Sequence, residues 1–301
     1  RLGTEYAAAN AGKPFFLLLH YYDVHSPYLP PAPFDRMYYE GNEKAPGEPV
    51  LTFLRSAKNR TDKRNDWNYR WLEGVTDLQF GVRQYAAGVS YADMHVGRVL
   101  EALRRAGLYE RALIVLCADH GEHLGEHDIW FTHYVPYQEV LHVPLIVKLP
   151  GNRQAGLAIE EPVSNLDIAP TILETIGRPA PAEIDGRSLV GVMNGQRSWK
   201  PSLVVAEQGN LPTRFSKALV EWPWKLLLFR TGAREVYELY DLSADPAETR
   251  DLAAANPAVR QRLRKSLWKL FDRGKPLVAD TRSRPVTVDA ETDRQLRALG
   301  Y

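Results

Sequence analysis

The chain has 301 residues, with 38 Lys and Arg against 37 Asp and Glu, and is 45% hydrophobic and 25% charged. That is the composition of a globular protein with its own core, and near-neutrality argues against a nucleic acid or an anionic membrane surface as the main partner, because both select a basic excess. A single cysteine excludes an internal disulfide framework and a Cys-built zinc cluster, and no apolar run approaches the ~20 residues of a membrane span.

The opening RLGTEYAAANAGKP has no signal-peptide layout and reads as the end of a helix with the loop after it. Phe15 to His20 (FFLLLH) is a short continuous apolar run, the pattern of a central parallel strand buried on both faces, with His20 as a core histidine. The proline-rich YYDVHSPYLPPAP excludes helix and central strand and forms a loop leaving the carboxyl end of that strand. Residues 41–70 are polar and mixed in charge, a surface excursion in which Asn59-Arg60-Thr61 is a chance-level glycosylation sequon. Trp67, Tyr69 and Trp71 are expected to pack within it rather than stack on a sugar.

From Val82 to Leu108 apolar residues recur at helical spacing, Asp93 reads as a packing or capping residue, and Gly107 ends the helix. Ala112 to Asp119 (ALIVLCAD) is a second buried strand with Cys117 as a small core side chain. Strand, helix and strand in that order predict a right-handed βαβ unit, so the fold class is α/β with a mostly parallel sheet flanked by helices. Val143 to Leu149 is a third strand, and Asn165 to Ile176 a short helix capped by Asp167 and stopped by Gly177. Beyond Ser198 four strand-like runs (SLVVAEQ, FSKALVEW, WKLLLFR, EVYELYDL) predict a small antiparallel sheet, with Pro223 between the second and third. Ala253 to Phe271 is an amphipathic closing helix and residues 274–301 an irregular tail. The expected division is an α/β domain over 1–198 and a C-terminal subdomain over 199–301.

Five of the eight histidines lie between His120 and His142. Asp119-His120-Gly121-Glu122-His123 begins where a buried strand ends, the place where open α/β sheets hold their sites. A carboxylate beside an imidazole, with further His and Glu nearby, suits a divalent metal. One reading is the inverted zinc-peptidase motif H-x-x-E-H, present as His123-Leu124-Gly125-Glu126-His127, with Glu207 available as a third ligand. It needs a helix through both histidines, which Gly125 disfavours.

The other reading rests on a resemblance. PFFLLLHYYDVHSPYLPP, then LIVLCADHGEHLGEHDIWFTHYVPYQEVLHVPLIVKLPG, SNLDIAPTILETIGRP, DGRSLVGVMNG, ELYDLSADPAETRDLA and LRALGY resemble, in order, the sulfatase family of the alkaline-phosphatase-like superfamily. The resemblance implies that Asp119 and His120 are half the ligands of a calcium ion. The family's D-P-H-x-P-Y loop appears as Asp23-Val24-His25-Ser26-Pro27-Tyr28, which implies that His25 contacts the sulfate or protonates the leaving oxygen. His133 stands four residues before Tyr137, where many members carry a sulfate-binding lysine, and an imidazole there would supply a donor whose charge depends on pH.

The family's nucleophile is a formylglycine made from the Cys or Ser of C/S-x-P-x-R, and this sequence contains no such motif. Cys117 is followed by Ala118-Asp119 and lacks the Pro and Arg. The expectation is therefore a C-terminal part of a longer sulfatase, with the formylglycine and two further aspartate ligands upstream and no useful turnover by these residues alone. The partner expected is a sulfated small molecule or carbohydrate, with no nucleic acid and no membrane span, and the resemblance favours a periplasmic or secreted location. The alternatives are a phosphomonoester or phosphonate hydrolase of the same superfamily and a non-catalytic binding module. His142, His123, Glu122, Glu126 and His127 are expected in structural or loop-bracing roles. Lys217, Arg214 and Trp222 to Lys225 have no assigned role.

Overall fold

The computed structural model describes residues 2–56, 69–196, 203–211 and 214–273; the Asn59 sequon, Trp67 and the tail from residue 274 lie outside them. The chain forms two compact units, Arg1–Ala255 and Asn256–Tyr301.

The first unit opens with α1 (Leu2–Ala9). Ala7 is buried with Leu103 and Leu108, and Phe15 and Ile114 pack on the same cluster. Gly3 of α1 lies against the Leu19 side chain, where a Cβ would stand 2.7 Å from Leu19 Cδ2. Residues 15–20 are extended, but they enter no ladder among the described residues, and Phe16 and Leu18 are 72% and 78% exposed. The expected doubly buried strand is thus half-covered. An extended segment points alternate side chains to opposite sides, and one side alone, that of Phe15 and Leu19, meets helical neighbours. His20, expected in the core, is exposed for the same reason and lies edge-on to Tyr22.

After α2 (Val50–Ser56), α3 (Leu78–Arg105) is the predicted long helix. Asp77 caps it by accepting the Gln79 N–H at 2.9 Å, and Tyr39 donates its hydroxyl to the other Asp77 oxygen at 2.8 Å. Asp93 is exposed in mid-helix and neither packs nor caps. Tyr28, Tyr69, Leu72 and Phe131 form a buried cluster with Trp71 packed against it, as expected for packed excursion aromatics.

Then come β1 (Ile114–Cys117), β2 (His123–Leu124), β3 (Trp130–Thr132), α4 (Gln138–Leu141) and β4 (Leu145–Lys148). β1 pairs with β4 and β2 with β3, both antiparallel, so β1 does not take the 15–20 run as a hydrogen-bonded parallel neighbour. Cys117, at the open end of β1, is exposed rather than a core side chain.

α5 (Ile168–Thr175) follows a 3-10 turn over Asn165–Asp167. Asp167 stands at the N-cap position of α5, as expected, but its side chain makes no cap bond to that helix; Ser164 caps the 3-10 turn before it. Asp167 is the buried reciprocal member of a capping box, accepting the Ser164 N–H at 2.9 Å and the Arg187 N–H at 2.7 Å. After α6 (Val190–Met193) the strands β5 (Val204–Leu211), β6 (Arg214–Glu221), β7 (Trp224–Thr231) and β8 (Arg234–Asp241) form the predicted antiparallel sheet in sequential order. Ala218, Val220, Leu227 and Tyr240 of this sheet are buried with Tyr137, so the sheet holds the segment entering α4. Lys217 is paired with Glu207 across β5 and β6, which takes Glu207 out of the zinc reading; the Arg214 side chain lies outside those described. In the second unit α7 (Pro257–Arg273) carries the buried residues Leu263 and Leu267. No helix among the described residues is long and apolar enough to cross a membrane.

Candidate active site

Asp119 and His120 lie just past the end of β1. The turn that follows requires a glycine: a Cβ on Gly121 would stand 1.9 Å from the Glu139 carbonyl oxygen and 3.3 Å from Val140 Cα. The Gly121 N–H donates to the Val140 carbonyl at 2.8 Å. The turn is thereby bolted to α4.

His120 Nδ1 is 2.9 Å from the Gly121 carbonyl. A carbonyl only accepts, so Nδ1 carries the hydrogen and Nε2 presents a lone pair. That Nε2 stands 3.8 Å from Asp119 Oδ2, while Asp119 Oδ1 accepts the His120 backbone N–H at 3.0 Å. Two acceptor atoms face each other with no hydrogen between them, an arrangement that suits a cation, and the Asp119 side chain is 78% exposed for access. The residues present therefore fit half of a divalent-metal cage.

His25 reaches the same place from the loop after the 15–20 run. Its Nδ1 donates to the Ser26 carbonyl at 2.7 Å, which leaves Nε2 available, and Tyr22 stacks on its ring at 4.5 Å. Tyr28 anchors the loop in the aromatic core. Burial, then the nearby Glu122 carboxylate, push its hydroxyl well above the usual tyrosine range. Gly88 of α3 presses on the loop from the other side, where a Cβ would stand 3.1 Å from the Asp23 carbonyl.

His133, just after β3, stacks on His120 with ring centroids 4.1 Å apart and lies 5.6 Å from His25; His25 and His120 are 6.3 Å apart. Its Nδ1 stands 3.8 Å from Oε1 of the buried Glu122. Three imidazoles from three separate segments, with Asp119 beside them, are thus gathered in one place.

The H-x-x-E-H segment is not a helix. His123 lies in β2, Gly125 has φ 134° and His127 φ 53°, and a Cβ on Gly125 would meet Trp130 at 2.6 Å. The two imidazoles go separate ways. His123 is fully buried with Nε2 3.0 Å from the Val135 carbonyl, and burial pulls its pKa down. His127 stacks face to face on Tyr137 at 3.8 Å. The one-face geometry that the zinc-peptidase reading needs is absent here. His142 is exposed.

A buried charged cluster below α4 was not anticipated from sequence. Lys225, wholly buried on β7, stands 2.8 and 3.0 Å from the Glu248 carboxylate oxygens and donates to Gln138 Oε1 at 3.1 Å. Glu248 also accepts the Gln138 N–H at 2.6 Å. Burial lowers the Lys225 pKa and raises that of Glu248, each opposed by the other's charge. Its signal was a lysine at an inward position of an apolar strand, WKLLLFR. His127, Glu139 and Glu248 each offer one ligand atom here, all within 4.8 Å of one another.

The sulfatase family model matches residues 2–178, and the N-sulphoglucosamine sulphohydrolase C-terminal model matches residues 125–273. The choline-sulfatase of Rhizobium meliloti (strain 1021) is 36% identical over 57% of this chain and 33% of its own length. The chain spans about a third of the length of the first curated relatives it matches. The phosphonate monoester hydrolase SpPMH from Silicibacter pomeroyi superposes with a TM-score of 0.69 at 26% identity, covering 90% of this chain and 59% of that one. BT4656, in complex with its substrate D-glucosamine-2-N,6-O-disulfate, superposes with a TM-score of 0.53 at 20% identity over 90% of this chain and 61% of its own, a likeness of fold. A family match over residues 2–178, more than half of the sequence, makes the chain a member of the sulfatase family, with the α/β fold of the alkaline-phosphatase-like enzymes.

Proposed function

We propose that this chain supplies the metal half-site and the proton donor of a calcium-dependent sulfuric ester hydrolase whose substrate is a sulfated small molecule or carbohydrate. The observation that carries the proposal is the convergence of His25, His120 and His133 beside Asp119. Asp119 and His120 Nε2 would hold the ion, which would supply positive charge against the sulfuryl oxygens. His25 acts as the imidazolium: Nδ1–H stays on the Ser26 carbonyl while Nε2–H passes its proton to the leaving alcohol oxygen, leaving a neutral ring. His133 donates a hydrogen bond to a sulfuryl oxygen, with the Glu122 carboxylate 3.8 Å from its Nδ1. The sequence holds no C/S-x-P-x-R segment, so these 301 residues by themselves are expected to hydrolyse no sulfate ester at a useful rate.

The test compares two proteins, the 301-residue chain and the product of the natural reading frame that contains it, assayed with 4-nitrophenyl sulfate and calcium. The chain alone should be inactive. The natural product should turn over, and Asp119→Asn should abolish that turnover. A natural product that cleaves phosphonate monoesters and leaves sulfate esters intact would support the second reading, which the likeness to a phosphonate monoester hydrolase favours. A natural product that cleaves neither would favour a binding module.

A further inference from the structure

We propose that His127 and Glu139 are positioning residues: a buried His127–Glu139–Glu248–Lys225 cluster clamps α4 onto the four-stranded sheet, and α4 in turn holds the Gly121 turn that aims Asp119 and His120. The inference rests on the metal role given above to those two residues.

The chain of contacts is continuous. On the sheet side, Lys225 bridges Glu248 and Gln138, and Glu248 accepts the first N–H of α4. In the middle, His127 lies flat on Tyr137, and the Tyr137 hydroxyl donates to Glu238 of β8 at 2.7 Å. On the site side, the Glu139 carbonyl is the atom packed against Gly121, and the Val140 carbonyl accepts the Gly121 N–H. A displacement of Glu139 therefore passes directly into the turn that carries His120.

The link between His127 and Glu139 is read from what those atoms lack. His127 Nε2 and Glu139 Oε2 are both buried, both have no hydrogen-bond partner, and they face each other at 3.7 Å. A side-chain adjustment of about half an ångström closes that gap to an N–H···O bond in which Nε2 donates. Glu248 Oε1 also lies in this cluster, but Lys225 Nζ stands 2.8 Å from it, which leaves Glu139 as the acceptor that faces His127 Nε2 without a cation of its own at ion-pair distance. The spacing of His127, Glu139 and Glu248 would also admit a metal ion. Lys225 Nζ, however, already stands 2.8 Å from Glu248 Oε1, so the chain supplies its own cation there.

Two substitutions separate a hydrogen-bonding role from mere ring packing. His127→Phe keeps the stack on Tyr137 and removes the donor. His127→Gln removes the ring and keeps an N–H donor. In the full 301-residue chain, hydrogen exchange at the Gly121 amide and Mn2+ affinity are measured for both. Phe is expected to speed Gly121 exchange and to weaken Mn2+ binding about tenfold or more, the usual effect of losing an outer support of a metal site, with Gln restoring most of both. Leu103→Ala, in the cluster beside α1, serves as a control that destabilises without touching the clamp and should leave Gly121 exchange unchanged relative to neighbouring amides. Wild-type behaviour of the Phe variant would overturn the proposal. So would tolerance of Phe with damage by Gln, or Zn2+ binding centred on the His127 ring. If the wild-type chain binds no Mn2+ the metal reading fails, while the Gly121 exchange data still decide the clamp.

Discussion

Gly121→Ala puts the packing of the site turn to a direct test. The new Cβ would lie 1.9 Å from the Glu139 carbonyl oxygen and 3.0 Å from its carbon, both backbone atoms that no rotamer change can move aside. Relief requires the turn and α4 to part by about 1 Å, an overpacking cost of about 1–3 kcal/mol. The same motion stretches the 2.8 Å bond from the Gly121 N–H to the Val140 carbonyl, worth about 1 kcal/mol. Together the loss is about 2–4 kcal/mol, which in a unit of this size lowers the melting temperature by about 5–15 °C. Urea titration and thermal melting measure it. Gly97→Ala is the internal control. It lies in α3 with nothing within 4 Å of its Cβ, so the substitution should be neutral or stabilise by up to about 1 kcal/mol. A Gly121→Ala protein within about 0.5 kcal/mol of wild type would show that the turn is not packed against Glu139 as described.

Three further outcomes are expected. Lys225→Met leaves Glu248 buried without its cation and should cost about 3–5 kcal/mol in urea unfolding, whereas Lys225→Met combined with Glu248→Leu should recover most of the loss; equal instability of single and double variants would contradict the pairing. Burial depresses the His123 pKa in the folded chain, so the unfolded chain takes up protons first as pH falls. Stability should therefore be full above about pH 6.5, the ordinary histidine value, and decline as pH falls below it towards the depressed folded value. His123→Gln, which keeps a donor for the Val135 carbonyl, should flatten that part of the curve, and an unchanged slope would count against it. In the active natural product, His25→Ala should lower kcat about 100-fold or more for esters of poor leaving groups and much less for 4-nitrophenyl sulfate, the signature of a lost general acid; an equal loss on both substrates would argue for sulfate contact instead.

Much of the fold was legible because its signals are local. The apolar spacing of α3, the Gly107 stop, the four runs of the C-terminal sheet and the Pro223 turn each follow from a few neighbouring residues. The central sheet was less legible. Phe15 to His20 has the composition of a doubly buried strand, yet burial depends on which layers cover each side, and Phe16 and Leu18 meet none among the described residues. Cys117 and His20 were misplaced for the same reason. At the site, Asp119 and His120 stood out by their place at a strand end, whereas His25 and His133 were chosen through the resemblance, and spacing alone could not have joined residues 25 and 133. The non-helical path of His123 to His127 was partly foreseen from Gly125, but the positive φ of His127 has no sequence signature. Asp167 holds the N-cap position of α5 as read, but sequence does not show that its carboxylate turns back to the Ser164 N–H in a capping box rather than onto its own helix. The Lys225–Glu248 pair joins residues from β7 and a later loop, so only the tertiary fold reveals that a charged residue is buried there.

The central claim is that Asp119 and His120 are half of a divalent cation's cage. The most direct measurement is paramagnetic broadening of the histidine ring signals of the 301-residue chain by added Mn2+. Broadening should be strongest at His120, next at His133 and His25, and weak at His95 and His142, and Asp119→Asn should weaken it. Broadening that spares His120, that centres on His127, or that persists unchanged in Asp119→Asn would contradict the account.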